Sequence, residues 1–142
     1  MTDDLDRIMG VMQAAFDPAY GEAWTRRQVG DALVLPHTFY LLAGVDGQAP
    51  GPDEPVTGFV LSRGAAGDEE LLLIAVHPEH RGKGVGKALI EALLDHPELR
   101  SVSAWMLNTS DAHGLYARFG FRPTTDGNEM RLDRPVAAAS GS

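Results

Sequence analysis

Between an apolar run, Glu70 to Val76, and an amphipathic stretch that opens near Gly86 lies His77-Pro78-Glu79-His80-Arg81-Gly82-Lys83-Gly84-Val85-Gly86-Lys87. This order of strand, glycine turn and helix constrains the fold more than any other part of the chain. The run Glu-Leu-Leu-Leu-Ile-Ala-Val suits a central strand covered on both faces. Beyond the turn Ala88, Leu89, Ala92 and Leu93 form one helical stripe with Val85 a turn upstream, and His96-Pro97 ends it. Glycines in such a turn let the backbone approach a ligand, successive N–H groups converge, and the helix N-terminus adds partial positive charge. The segment is therefore expected to hold a pyrophosphate, with Arg81, Lys83 and Lys87 supplementing the amides. It is neither of two familiar phosphate loops. A P-loop has four residues between its first glycine and Gly-Lys, then Ser or Thr, whereas Gly82 to Gly86-Lys87 encloses three and continues with Ala88. The dinucleotide fingerprint fails because Lys87 stands where its third glycine belongs.

The remaining pattern frames this unit. Leu5, Ile8, Met9, Met12 and Phe16 predict a helix from about Asp3 to Ala15, with Asp3 and Asp4 favourable to its dipole. Thr25 and Gln28 form a capping-box pattern, flanked by Trp24 and Val29 at staple positions, for a second helix from about Arg26 to Leu33. His37 to Val45 and Pro55 to Arg63 read as two strands, joined across the Gly/Pro-rich segment Gly47 to Pro52. Val102 to Leu107 is a further strand. Asp111 can cap a helix facing inward through Ala112, Leu115, Tyr116 and Phe119, with Gly120 as its stop. Phe121 to Thr124 and Glu129 to Leu132 form a hairpin around Asp126-Gly127. One α/β domain over residues 1–136 is expected, with 137–142 a disordered tail.

Composition excludes whole classes of function. The 142 residues, 44% hydrophobic, suffice for a core; 12 Lys plus Arg against 20 Asp plus Glu give a net charge of -8, which argues against nucleic-acid binding. With no cysteine there is no disulfide, thiolate nucleophile or Cys-based zinc site. The five histidines lack carboxylate partners at ligand spacing, so no metal is expected; His77 and His80 are placed to touch phosphate. Met1 to Leu5 do not read as a signal peptide and no apolar run reaches membrane-spanning length, so the expected address is the cytoplasm, away from any membrane.

Arg81-Gly82-Lys83-Gly84-Val85-Gly86 resembles the R/Q-x-x-G-x-G/A signature of GNAT acetyltransferases. Ile-Ala-Val-His-Pro before it is similar to their fourth strand, and Leu115-Tyr116-Ala117-Arg118-Phe119-Gly120-Phe121 to their "LYxxxGF" element. The stretch Phe16 to Leu42 more loosely resembles the substrate-side helices of the branch that acetylates ribosomal-protein N-termini. The resemblance implies a central, mixed, mostly antiparallel twisted sheet, splayed between the fourth and fifth strands and flanked by helices. The usual first strand is nearly absent, because the chain opens into helix. Acetyl-CoA is the implied cosubstrate: Arg81, Gly82, Lys83, Gly84, Val85, Gly86 and Lys87 for the phosphates, Ile74, Ala75 and Val76 for the pantetheine, and Asn108 near the cleft. The implied reaction is transfer of an acetyl group to a primary amine, by a monomer or homodimer.

An ammonium cannot attack a thioester, so a base must generate the free amine and an acid must protonate the departing thiolate. Glu70 opens the fourth strand where the histone-acetylating branch carries its general base. Glu69 is its rival, since alternation lets only one of the pair face the cleft and does not fix which. Tyr116 matches the family's general-acid tyrosine; periodicity equally allows a ring that fills the stripe of Ala112, Leu115 and Phe119. His113 is the histidine near Tyr116 and an alternative base. Two departures bear on the acceptor. Where the N-terminal-alanine branch carries Glu this chain has Ala104, and where it carries Asn this chain has Thr109, with Asn108 beside it. Peptide N-termini and small amines both stay open as acceptors. A CoA-binding module without turnover is the competing expectation, and a longer acyl group a third.

Overall fold

The computed structural model describes residues 3–15, 24–51, 54–65, 67–109, 113–124 and 128–133. The expected Asp111 cap, the Asp126-Gly127 turn and the 137–142 tail lie outside the described residues. Helix α1 (Asp4–Ala15) buries Ile8, Met9, Val11 and Met12. Helix α2 (Arg26–Leu33) has the predicted capping box: Thr25 Oγ1 accepts from Gln28 N at 3.1 Å, and Gln28 Oε1 accepts from Thr25 N at 2.7 Å. Trp24 packs in the same cluster as Val29, closing the staple.

Six strands form one sheet in the order β1-β2-β3-β4-β6-β5, comprising β1 (Thr38–Ala43), β2 (Gly58–Ala65), β3 (Asp68–Val76), β4 (Ala104–Asn108), β5 (Arg122–Pro123) and β6 (Glu129–Asp133). Every neighbouring pair is antiparallel except β3 and β4. Helix α3 (Val85–Leu94) crosses between those two, as a parallel connection requires. Helices α1 and α2 cover one face through a cluster with Phe59, Leu61 and Ala75. On the other face Val85, Leu89, Ile90 and Leu93 of α3 pack with Val60, Trp105 and Leu107. The short helix α4 (His113–Ala117) puts Tyr116 into that second cluster.

Gly58 allows the close approach of α3 to β2. A β-carbon there would lie 3.0 Å from both the Ala75 carbonyl oxygen and Val85 Cγ1, and 3.1 Å from Leu89 Cδ1. Gly120 has φ +96°, the left-handed conformation that stops α4, and Phe121 N donates to Tyr116 O at 3.3 Å.

Three expected boundaries are corrected. Strand β2 runs Gly58–Ala65 instead of Pro55 to Arg63, because Thr57 N and Oγ1 bond the carbonyls of Ala43 and Gly44 and close the loop first. Strand β3 begins at Asp68, two residues before Glu70, since Glu69 is already in register with Gly64 on one side and Trp105 on the other. Asn108 ends β4 opposite Glu129 instead of following the strand.

Candidate active site

The site is built where β3 and β4 part. Their parallel pairing runs only from Asp68 opposite Ala104 to Leu71 opposite Leu107, and β3 continues through Leu72–Val76 with no β4 partner. Beyond this divergence lies a cavity of about 240 Å³ lined by Ala15, Ile74, Ala75, Val76, Arg81, Gly86 and Leu115. It joins the end of α1 to the start of α3 and the face of α4. Of the residues expected along the pantetheine, Ile74, Ala75 and Val76 all line it. Asn108 is exposed at the end of β4 and does not.

The Gly-rich turn adjoins this cavity. Gly82 and Gly84 take φ of +78° and +85°, and a β-carbon at either meets no atom within 4 Å, so their backbone borders open space. Gly84 is the N-cap of α3 and carries no side-chain cap, which leaves the first N–H groups of a ten-residue helix without a side-chain acceptor at the cap. Lys83 and Lys87 are exposed and have no ion-pair partner among the described residues. Bare amides, a helix N-terminus and two cations suit a diphosphate. Val85 is 2% exposed and belongs to the core, so only its backbone can serve a ligand.

Two side chains of this turn have partners within the protein. Arg81 directs its guanidinium at carbonyls, with Nη2 donating to Ala15 O at 2.9 Å and Nε to Val76 O at 3.3 Å. His77 shapes the chain, since its Nδ1 accepts from Glu79 N at 3.2 Å and its ring meets His80 edge to face at 5.9 Å.

A bulge further along β3, which the sequence does not announce, sets the faces that the two glutamates take. Leu61 of β2 is opposite Leu73 while Ser62 is opposite Leu71, so Leu72 is the extra residue of β3. Leu72 and Leu73 consequently both pack toward α1 and α2, whereas Leu71 and Ile74 face α3. Counting back from Leu71 by alternation, Glu70 lies on the α1/α2 face, between Arg63 on β2 and Met106 on β4. Without the bulge it would share the face of Ile74 and Val76.

Glu69 therefore takes the α3 face, where it is 4% exposed. Its Oε2 accepts from Ser62 Oγ at 2.6 Å, and Oε1 lies 2.9 Å from where a β-carbon on Gly64 would sit. It lines a second cavity, of about 360 Å³, with His37, Asp68, Glu98, Leu99 and Val102. This larger cavity is at the start of β3, away from the Gly-rich turn. Burial raises the Glu69 pKa above its ordinary 4.5, opposed by the Ser62 hydroxyl and by the electrostatic influence of His37. A folded-state pKa above the unfolded one means that the native chain holds the extra proton. The stabilisation is full below the ordinary value and is lost as pH rises through the folded value. Glu69→Gln is expected to flatten this fall, as seen by melting temperature from about pH 4 to about pH 8. Parallel curves for the two proteins would show that the carboxyl does not titrate differently on folding.

Tyr116 is 5% exposed, and its ring meets Phe121 edge to face at 5.9 Å. Its neighbour Leu115, not Tyr116, is among the residues lining the 240 Å³ cavity. Leu115 and Ala15 were not among the expected cofactor residues. Leu115 sits on the inward stripe, a signal that was present; for Ala15, 66 positions from its partner Arg81, there was none. The side chain of His113 lies outside the described residues. Among the described residues no group of three His, Cys, Asp or Glu is arranged to hold a metal ion, and no helix is long and apolar enough to cross a membrane.

Known proteins are similar to this chain in sequence and in fold. The chain is 33% identical over 110 residues to mycothiol acetyltransferase of Paenarthrobacter aurescens, covering 77% of this chain and 33% of that protein. It is 32% identical over 87 residues to the Escherichia coli alanine N-acetyltransferase that acts on ribosomal protein bS18, covering 52% of this chain and 59% of that one. The chain thus spans about a third and about three fifths of these relatives. Its fold matches the crystal structure of the PaiA N-acetyltransferase of Thermoplasma acidophilum in complex with coenzyme A, with a TM-score of 0.73, 20% identity, and 92% and 93% of the two chains covered. Residues 36–123, more than half of the sequence and all of the turn, match the model of the acetyltransferase (GNAT) domain, and the chain belongs to that family.

Proposed function

We propose that the chain is an acetyl-CoA-dependent N-acetyltransferase that moves an acetyl group to a primary amine, a peptide N-terminus or a small amine, by direct attack in a ternary complex. The observation that carries this reading is the pair of positive-φ glycines at the uncapped start of α3, beside the point where β3 leaves β4. The backbone of Gly82 to Lys87 with the Lys83 and Lys87 ammoniums would hold the phosphates, and Ile74 to Val76 would run beside the pantetheine. When bound, acetyl-CoA supplies an acetyl group activated as a thioester.

The chain's own residues supply the proton transfers. Glu70, on the face that α1 and α2 cover, takes a proton from the acceptor ammonium. Tyr116, next to Leu115 at the cleft, gives one to the departing thiolate. Asn108 is a polar group at the β4 end of the divergence. A relative named as an alanine N-acetyltransferase of ribosomal protein bS18 supports an amine acceptor.

Tyr116→Phe separates catalyst from binder. Phe keeps the edge contact with Phe121, so the fold and acetyl-CoA affinity should persist while turnover drops about tenfold or more, roughly 1.4 kcal/mol of barrier. Wild-type turnover in a folded Phe variant would leave Tyr116 with a packing role only.

A further inference from the structure

Arg81 begins the turn that faces the phosphates, yet its guanidinium is committed to the other side. Nη2 donates to the carbonyl of Ala15, the last residue of α1, and Nε to the carbonyl of Val76, the last residue of β3. Ala15, Val76 and Arg81 all line the cavity at the divergence. The last carbonyls of a helix have no partner within it, and they carry the negative end of its dipole. The last turn of α1 holds no basic residue of its own. Arg81 supplies the missing cation from 66 positions away. The other end of α1 is tied elsewhere: Asp4 accepts from the Tyr40 hydroxyl at 2.6 Å, and Arg7 donates to the carbonyls of Gly51 at 2.8 Å and Glu54 at 2.9 Å. Those ties reach β1 and the loop after it. Arg81 ties α1 to the Gly-rich turn.

One side chain therefore touches the helix on the side of Glu70, while its backbone opens the turn on the side of the phosphates. We propose that Arg81 is a positioning residue that couples the two substrate sites: occupation of the Gly-rich turn fixes the end of α1, and an acceptor seated against α1 tightens the turn. The coupling is reciprocal, because each ligand favours the same arrangement of the strut. It rests on the acetyltransfer reading above. Phosphate contacts then fall to the amides of Gly82 to Lys87 and to Lys83 and Lys87, not to the Arg81 guanidinium.

Coenzyme A alone serves as the probe, with amide hydrogen exchange read at Met12 to Ala15. In the wild type, coenzyme A should slow exchange there by about fivefold or more, the lower end of ordinary coupling. Arg81→Ala, saturated with coenzyme A, should show no such gain, and Arg81→Lys, which keeps a cation able to reach one carbonyl, should recover part of it. Equal protection in wild type and Arg81→Ala would overturn the proposal. So would a loss of coenzyme A affinity beyond about tenfold with the α1 response intact, since that would make Arg81 a phosphate ligand. If the wild type does not bind coenzyme A at all, the acetyltransfer reading falls and takes this inference with it; binding without coupling removes the inference alone.

Discussion

Glu70→Gln is expected to bind acetyl-CoA as the wild type does and to lose roughly 100- to 10,000-fold in turnover at low pH, where most acceptor is ammonium and a base is most needed. The deficit should narrow as pH rises, because the free amine then forms without the enzyme. The bulge at Leu72 puts Glu70 on the face of α1 and α2, between Arg63 and Met106, while Glu69 is turned into the opposite face and held by Ser62. Rate profiles for the two proteins at saturating acetyl-CoA give the comparison. A loss below about threefold at every pH would take the base role from Glu70, leaving His113 or solvent as the candidate.

Gly84→Val should abolish the stabilisation that acetyl-CoA confers on the folded chain. A ligand present at about 100 times its dissociation constant and bound only by the native state adds about 2.7 kcal/mol. At φ +85° a β-branched residue is strained, and its side chain would enter the open space that the turn presents. The strain lowers the melting temperature without ligand, so the quantity to compare is the increment on adding acetyl-CoA. Gly84→Ala, with less bulk, should keep part of that increment. An undiminished increment in a folded Gly84→Val protein would mean that the phosphates lie somewhere other than this turn.

The strand, turn and helix around Gly82 to Gly86 were legible because they are local: an apolar run, glycines, then a helical stripe. The capping box of α2 was legible for the same reason, since Thr25 and Gln28 are three positions apart and bond each other. The orientation of the two glutamates was not. It depends on one extra residue in β3, which is decided by the registry of β2 and leaves no mark in a run of three leucines. Nor was the burial of Glu69, which needs Ser62 and the missing β-carbon of Gly64 on a neighbouring strand. The hydrogen bonds of Arg81 to main-chain carbonyls, one of them on α1, were not legible either, because main-chain acceptors carry no residue-type signal.

Release of free coenzyme A thiol from acetyl-CoA, followed with and without an amine, tests the central claim most directly. Peptides beginning with alanine, other peptide N-termini, polyamines, amino acids and aminoglycosides form the acceptor panel. Thiol release is expected to depend on at least one of these amines and to fall in both Glu70→Gln and Tyr116→Phe. Acetyl-CoA that binds and stabilises the chain, yet yields no amine-dependent thiol with any class of acceptor, would contradict it and make the protein a binder of the cofactor instead of a transferase.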